Sequence, residues 1–143
     1  MLDRNVEKNG VLDFCRDRNA TFLAYSPLEN GLLTGKIDPE RVYRRGDLRR
    51  NKPTFSKENV VRVNKALAAI ADVAKRYRLS IGQFAAAWVA SRYEKAVVIC
   101  GARTPEQALS NALAGDATVS ADDYEEVDAI LRDFELLDER APF

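Results

Sequence analysis

The sequence predicts an α/β fold with parallel strands, and three observations carry that expectation. Two short apolar runs, 20–25 and 96–100, lack the alternation of a half-exposed strand and read as buried ones. Segments with apolar residues spaced at three and four lie around and between them, long enough for crossover helices. Three of those segments open on recognisable capping sequences. The resulting order is α-β-loop-α-α-β-α-α within one domain, 1–143.

Residues 5–17 form the first helix, with Val6, Val11, Leu12 and Cys15 roughly on one face. The run Ala20-Thr21-Phe22-Leu23-Ala24-Tyr25 follows as a strand, and Ser26-Pro27 stops it. Residues 26–55 show no period and contain Gly31, Gly35, Gly46, Pro39 and Pro53; a loop of that length is usually functional or mobile. Helix returns over 58–78, where Val60, Val63, Leu67, Ile70, Ala74 and Tyr77 make an amphipathic stripe. The next helix, 80–92, starts on the capping box Ser80-Ile81-Gly82-Gln83 and turns Phe84, Ala87, Trp88 and Ser91 inward.

The second strand, 96–100, is a continuous apolar run that favours a parallel strand covered on both faces. Thr104-Pro105-Glu106-Gln107 then places an N-cap, a proline at N1 and a glutamine at N3, opening a helix over 104–114. Ser120 caps the last helix, 120–135, with Asp122 and Asp123 in its first turn and a stripe of Tyr124, Val127, Leu131 and Phe134. Two strands that both need neighbours do not make a complete sheet. The chain reads as part of a larger α/β fold.

Composition narrows the chemistry. The 143 residues carry 22 basic and 22 acidic side chains, so the formal net charge is zero. That balance argues against nucleic acid or an anionic membrane as the main partner. Without histidine there is no Ser-His-Asp triad, no Cys-His dyad and no His-ligated zinc. Cys15 and Cys100 form neither a CxxC pair nor a disulfide framework, which suits a reducing compartment, and Cys15 reads as a core residue. The polar start MLDRNVEKNG is no signal peptide and no apolar run reaches membrane-spanning length, so a soluble, cytoplasmic protein is expected.

The sharpest candidate site is the second strand-to-helix junction, VVICGARTPEQALSN. Ligands in parallel α/β folds gather at the carboxyl ends of strands, where the next helix offers free N–H groups. Gly101 allows close backbone approach, Arg103 can bond a phosphate, and Gln107 and Asn111 share one helix face. An ordinary capped helix with a surface arginine fits the same residues. At the end of the first strand, Tyr25 can offer a flat face to a planar ring and Ser26 can donate to a phosphate; on the residues alone, a core tyrosine followed by a turn is slightly favoured.

Other features carry less. Asn30-Gly31-Leu32-Leu33-Thr34-Gly35-Lys36 fails as a P-loop, because its first glycine is Asn30 and its lysine precedes Ile37. Six basic residues (Arg41, Arg44, Arg45, Arg49, Arg50, Lys52) face one acid, Asp47, in the long loop, and the last helix and tail carry a matching acidic excess. Such a loop is a solvated face or an embrace for an anionic cofactor; few aromatics interleave it, which disfavours nucleic acid. The carboxylates fall on polar helix faces and pair nowhere as acid and base.

Taken in order and spacing, AYSPLENGLLTGK, SIGQFAAAWVAS and VVICGARTPEQALSN resemble the C-terminal part of the aldo-keto reductase family, over about residues 5–135. The resemblance implies a (β/α)8 TIM barrel that reduces small carbonyl substrates with NADP(H), in which the two strands here are strands seven and eight. It implies that Tyr25 stacks on the nicotinamide ring and that Ser26, Leu28 and Lys36 belong to the loop around the pyrophosphate. Gly101 and Arg103 fall on the 2′-phosphate side, Gln107 and Asn111 on the adenine side, and Tyr43 and Arg45 in a clamp over the cofactor.

Departures from the family pattern matter as much. Cys100 stands where the family usually has proline, and Ser110 where it often has an acid. No segment matches the motifs that bring the family's catalytic tyrosine, aspartate, lysine and histidine. The expectation is therefore a partial barrel, the C-terminal and cofactor-binding portion of a reductase, with no catalytic residue, no metal and no turnover of its own. The alternative is a non-catalytic partner or scaffold that senses NADP(H). A partial barrel also exposes faces suited to self-association.

Overall fold

A computed structural model describes residues 1–137; the end of the expected acidic tail lies outside the described residues. Helices α1 (Asn5–Lys8) and α2 (Val11–Asp17) replace the single helix expected over 5–17. Gly10 separates them at φ 82°, a left-handed conformation that a side chain resists, and the Asn9 carboxamide accepts from the Val11 N–H. Leu12 and Cys15 are buried as expected, whereas Val11 is 42% exposed.

Strand β1 (Phe22–Tyr25) pairs in parallel with β2 (Ala96–Ile99), with Phe22 opposite Ala96 and Tyr25 opposite Ile99. Both are shorter than the apolar runs that predict them. Covering both faces is also not what forms. Helices cover the face of Phe22, Ala24, Ala96 and Val98, while Leu23, Tyr25, Val97 and Ile99 are 57%, 80%, 48% and 51% exposed. Register puts those four on one face, so the sheet presents an open apolar surface.

The long loop contains two 3-10 turns, Glu29–Thr34 and Pro53–Phe55. Helix α3 (Lys57–Ala69) starts on a Ser56 cap one residue earlier than its apolar stripe suggests. Ile70 closes α3 and opens α4 (Ala71–Arg76), so the expected helix over 58–78 is kinked. The bonds from the Ile70 N–H to the Ala66 carbonyl and from the Ala74 N–H to the Ile70 carbonyl persist through the kink. Ile70, Val73 and Ala74 thereby all remain buried. Helices α5 (Ile81–Ala90), α6 (Pro105–Ala112) and α7 (Ala121–Leu131) start on Ser80, Thr104 and Ser120, whose side chains accept from Gln83, Gln107 and Asp123 N–H groups. A 3-10 turn over Leu113–Asp116 extends α6.

The main core joins α3, α4, α5, α7 and the first 3-10 turn through Leu32, Leu33, Val63, Phe84, Trp88 and Val127. A smaller cluster of Leu12, Cys15 and Tyr93 sits with Phe22 and Ala96. The Tyr93 hydroxyl reaches the Ala20 carbonyl at 3.0 Å and the Cys15 carbonyl at 3.1 Å, tying α2 to the segment before β2.

At the α4–α7 contact, the Tyr77 hydroxyl donates to Asp123 at 2.5 Å, and Arg76 pairs with Asp123 and Glu126. Tyr77, followed by Arg76 and Ser120, holds the Asp123 carboxyl below the usual carboxylate range. A folded value below the unfolded one means the stabilisation is complete above the ordinary pKa of about 4 and fades as pH falls through the folded value. Asp123→Asn is expected to flatten the acid limb of a plot of stability against pH, measured by urea unfolding between neutral and acid pH.

Candidate functional site

Parallel pairing sets the carboxyl ends of β1 and β2 side by side, because Tyr25 is opposite Ile99. Tyr25 ends its strand with its ring on the open face. Ser26 follows at φ 49° with its side chain exposed, and its carbonyl accepts from the Glu29 N–H. Pro27 is buried and Leu28 packs against the core, which fixes the chain's exit from the strand. Gly35 is required here: its φ is 66°, and a Cβ would stand 3.3 Å from the Ile81 side chain. Lys36 comes next and is exposed; among the described residues no hydrogen bond or ion pair joins it to Tyr25 or Arg103.

Beyond β2, Cys100 is half-buried, and burial pushes its thiol pKa up, so it stays protonated. Gly101 and Arg103 are exposed, and among the described residues the Arg103 guanidinium has no acidic partner. The start of α6 differs from the free N–H groups expected of it. Pro105 has none, Thr104 Oγ1 accepts from the Gln107 N–H at 3.3 Å, and Gln107 Oε1 accepts from the Arg103 N–H at 2.8 Å. Bonds from Thr104 and from its own backbone N–H hold the Glu106 carboxyl below its ordinary range. Glu106 thus complements the helix dipole from within the first turn, and the exposed Arg103 side chain stands beside it. Asn111 Nδ2 donates to the Gly101 carbonyl at 3.2 Å, so Gln107 and Asn111 both brace the strand-to-helix loop.

In the basic loop, Tyr43 is half-buried, set edge-on to Phe55 at 5.9 Å, with guanidinium groups of Arg41 and Arg49 over its ring at 5.6 and 4.9 Å. Asp47 holds Arg49 through two bonds, at 2.9 and 2.6 Å, and its carboxyl lies well below the usual range for that reason. Tyr43 therefore organises the loop from inside, while Arg45 points to solvent. Sequence reasoning found no sign of a cavity of about 500 Å³ along β1, lined by Arg4, Glu7, Leu23, Tyr25, Trp88 and Arg92 among others. Its walls come from three separated segments with no shared motif, so no local pattern announces it. Among the described residues no cluster of His, Cys, Asp or Glu could hold a metal, and no helix is long and apolar enough to cross a membrane.

A sequence model of the Aldo/keto reductase family matches residues 1–132. The chain is 38% identical over 120 residues to an NADH-specific methylglyoxal reductase of Escherichia coli, covering 84% of this chain and 36% of that one. It is 31% identical over 94 residues to yakc, an NADP(+) aldo-keto reductase of Schizosaccharomyces pombe, covering 66% and 28%. The glycerol dehydrogenase AKR11B4 of Gluconobacter oxydans superposes with a TM-score of 0.83 at 30% identity, over 99% of this chain and 42% of that one. The chain spans well under half the length of each of these relatives.

Proposed function

The chain belongs to the aldo/keto reductase family, and from that membership we propose that it is the C-terminal, NADP(H)-binding portion of a carbonyl-reducing barrel. In this reading β1 and β2 are strands seven and eight. The open face of Leu23, Tyr25, Val97 and Ile99 looks into the barrel, and the outer edge of β1 takes the preceding strand. One observation carries the cofactor assignment: the register that sets the exposed Tyr25 ring beside the loop ending in Arg103, which has no acidic partner among the described residues.

The residues suit the cofactor's parts. A flat exposed ring at Tyr25 takes the face of the nicotinamide, while Ser26, the Leu28 turn and Lys36 suit the pyrophosphate. Gly101 leaves room for close approach, Arg103 offers a fork of donors to a 2′-phosphate, and Gln107 and Asn111 hold that loop on the adenine side. When bound, the nicotinamide supplies a hydride for an aldehyde or ketone carbon. No side chain here is assigned as the proton donor, so the chain alone is expected to leave a simple aldehyde unreduced in an NADPH oxidation assay; turnover overturns that part.

Cofactor choice is tested by calorimetry. Arg103→Ala is expected to weaken NADP+ binding at least about tenfold, the scale of a charge-assisted phosphate contact, and NAD+ binding less than about twofold. A preference of the unaltered chain for NAD+ would place it with the NADH-specific relative instead, and equal binding of the two would overturn the assignment of Arg103 to a 2′-phosphate.

The open face also supports a second reading, a non-catalytic partner or scaffold that binds NADP(H) and associates with itself. Sedimentation of a single monomer across a wide concentration range counts against self-association. A stable complex with bound NADP(H) and no turnover favours the scaffold.

A further inference from the structure

We propose that Gln83, in the first turn of α5, is a positioning residue that sets the Gly101–Arg103 loop through α6. The reading of that loop as a cofactor site is the one proposed above, and the inference about Gln83 rests on it only for the binding consequence. Gln83 uses both ends of its carboxamide. Its Oε1 accepts from the Ser80 N–H at 2.9 Å and from the Ser80 hydroxyl at 2.8 Å, closing the cap of α5. Its Nε2 donates to the Ser110 carbonyl at 2.8 Å and lies 3.2 Å from the Ser110 hydroxyl. Among the described residues, these two contacts are the side-chain hydrogen bonds that join α5 to α6.

The link matters because of what α6 carries. Asn111, the residue after Ser110, holds the Gly101 carbonyl, and Gln107, one turn earlier, holds the Arg103 N–H. Over Pro105–Ala112 helix α6 has no fully buried residue; its 3-10 extension is anchored at one end by buried Ala114, and the Gln83 amide holds the body of the helix. Its rotation and height relative to α5 are therefore set in good part by the Gln83 amide, and the loop follows. Ser110 acts in this arrangement as scaffold, with its carbonyl and hydroxyl turned to Gln83.

Two variants separate this role from capping. Gln83→Glu keeps an acceptor for Ser80, as capping boxes with glutamate do, but sets a carboxylate against the Ser110 carbonyl. Adding Ser110→Ala prevents the hydroxyl from donating to that carboxylate. Ser80→Ala removes the cap and leaves the donor of Gln83 in place. In the ligand-free full chain, Gln83→Glu/Ser110→Ala is expected to speed hydrogen exchange at the Arg103 amide about tenfold while the melting temperature moves by no more than about 2 °C. NADP+ affinity, measured by calorimetry, falls about tenfold, the equivalent of losing one well-placed hydrogen bond. Ser80→Ala lowers the melting temperature and leaves NADP+ affinity within about twofold of the unaltered chain. Unchanged exchange at Arg103, or an equal loss of NADP+ binding in Ser80→Ala, overturns the proposal. Faster exchange in a chain whose unaltered form binds no NADP+ upholds the role of Gln83 and overturns the cofactor reading.

Discussion

Replacing Trp88 with alanine is expected to cost about 3–5 kcal/mol of stability, the range for truncating a fully buried aromatic. Trp88 is 2% exposed and stacks on Tyr124 with ring centres 4.4 Å apart and planes 11° from parallel. The Arg4 guanidinium lies 5.3 Å from the centre of the Trp88 ring, and Arg92 lies 4.9 Å from that of Tyr124. Arg4 is itself held by Glu7 at 2.6 Å and by Asp128 at 2.8 Å. One indole thus joins the segment before α1, the last turn of α5 and the start of α7. Its removal opens a void beside a cavity that already borders it, so collapse cannot recover the lost contacts. Trp88→Phe keeps most of the buried area and removes the indole Nε1, which is buried without a partner among the described residues. Its cost is expected to be only about 1 kcal/mol. Urea unfolding followed by far-UV circular dichroism measures both, and a loss below about 1 kcal/mol in Trp88→Ala would remove the stack from the core.

That arrangement also marks where local sequence patterns lose their reach. The caps at Ser80, Thr104 and Ser120 are legible because each satisfies backbone donors within three residues of itself. The stripe from Val60 to Ala74 is legible because helical spacing alone puts it on one face. The Arg4–Trp88–Tyr124 stack is not, since its successive members lie 84 and 36 positions apart and no short motif joins them. The open face of the sheet is legible only in part. The apolar runs show that the strands need neighbours, while which side chains stay exposed, Leu23 and Val97 among the described residues, follows from the register.

The candidate site divides along the same line. Residue types at the strand ends are visible as Tyr25-Ser26 and Gly101-Ala102-Arg103, whereas their adjacency comes from parallel register, which no local spacing encodes. Glu106 is legible at short range. A glutamate beside an N-cap reads as favourable to the dipole, and Glu106 stands in the first turn of α6 with its carboxyl held below the ordinary range. Under the proposed cofactor reading, the anion contact at this junction falls to one side chain, Arg103, which makes binding there more sensitive to a single substitution than a backbone cradle would be.

Asn59→Leu is expected to cost about 2–4 kcal/mol and to act on one end of the molecule more than on the rest. Asn59 is 1% exposed, and its carboxamide is fully used. Nδ2 donates to the Pro53 carbonyl at 2.8 Å and to the Leu137 carbonyl at 2.7 Å, while Oδ1 accepts from the Leu137 N–H at 2.7 Å. Leucine matches the size of the side chain and bonds none of these groups, so the Leu137 N–H and carbonyl lose their partner at once, while the Pro53 carbonyl keeps the Ser56 N–H. The Arg62 guanidinium donates to the Glu135 carbonyl at 2.8 and 3.0 Å from the surface. Arg62→Ala, a change at an exposed site, is expected to cost no more than about 0.5 kcal/mol. The C-terminal segment after α7 therefore depends on Asn59. In Asn59→Leu, limited proteolysis is expected to cut after Leu131 well before the core opens, and in Arg62→Ala to follow the unaltered chain. Cleavage spread evenly along Asn59→Leu would instead make Asn59 a general core residue, because a clamp with one load releases one segment and a core residue loosens all of them.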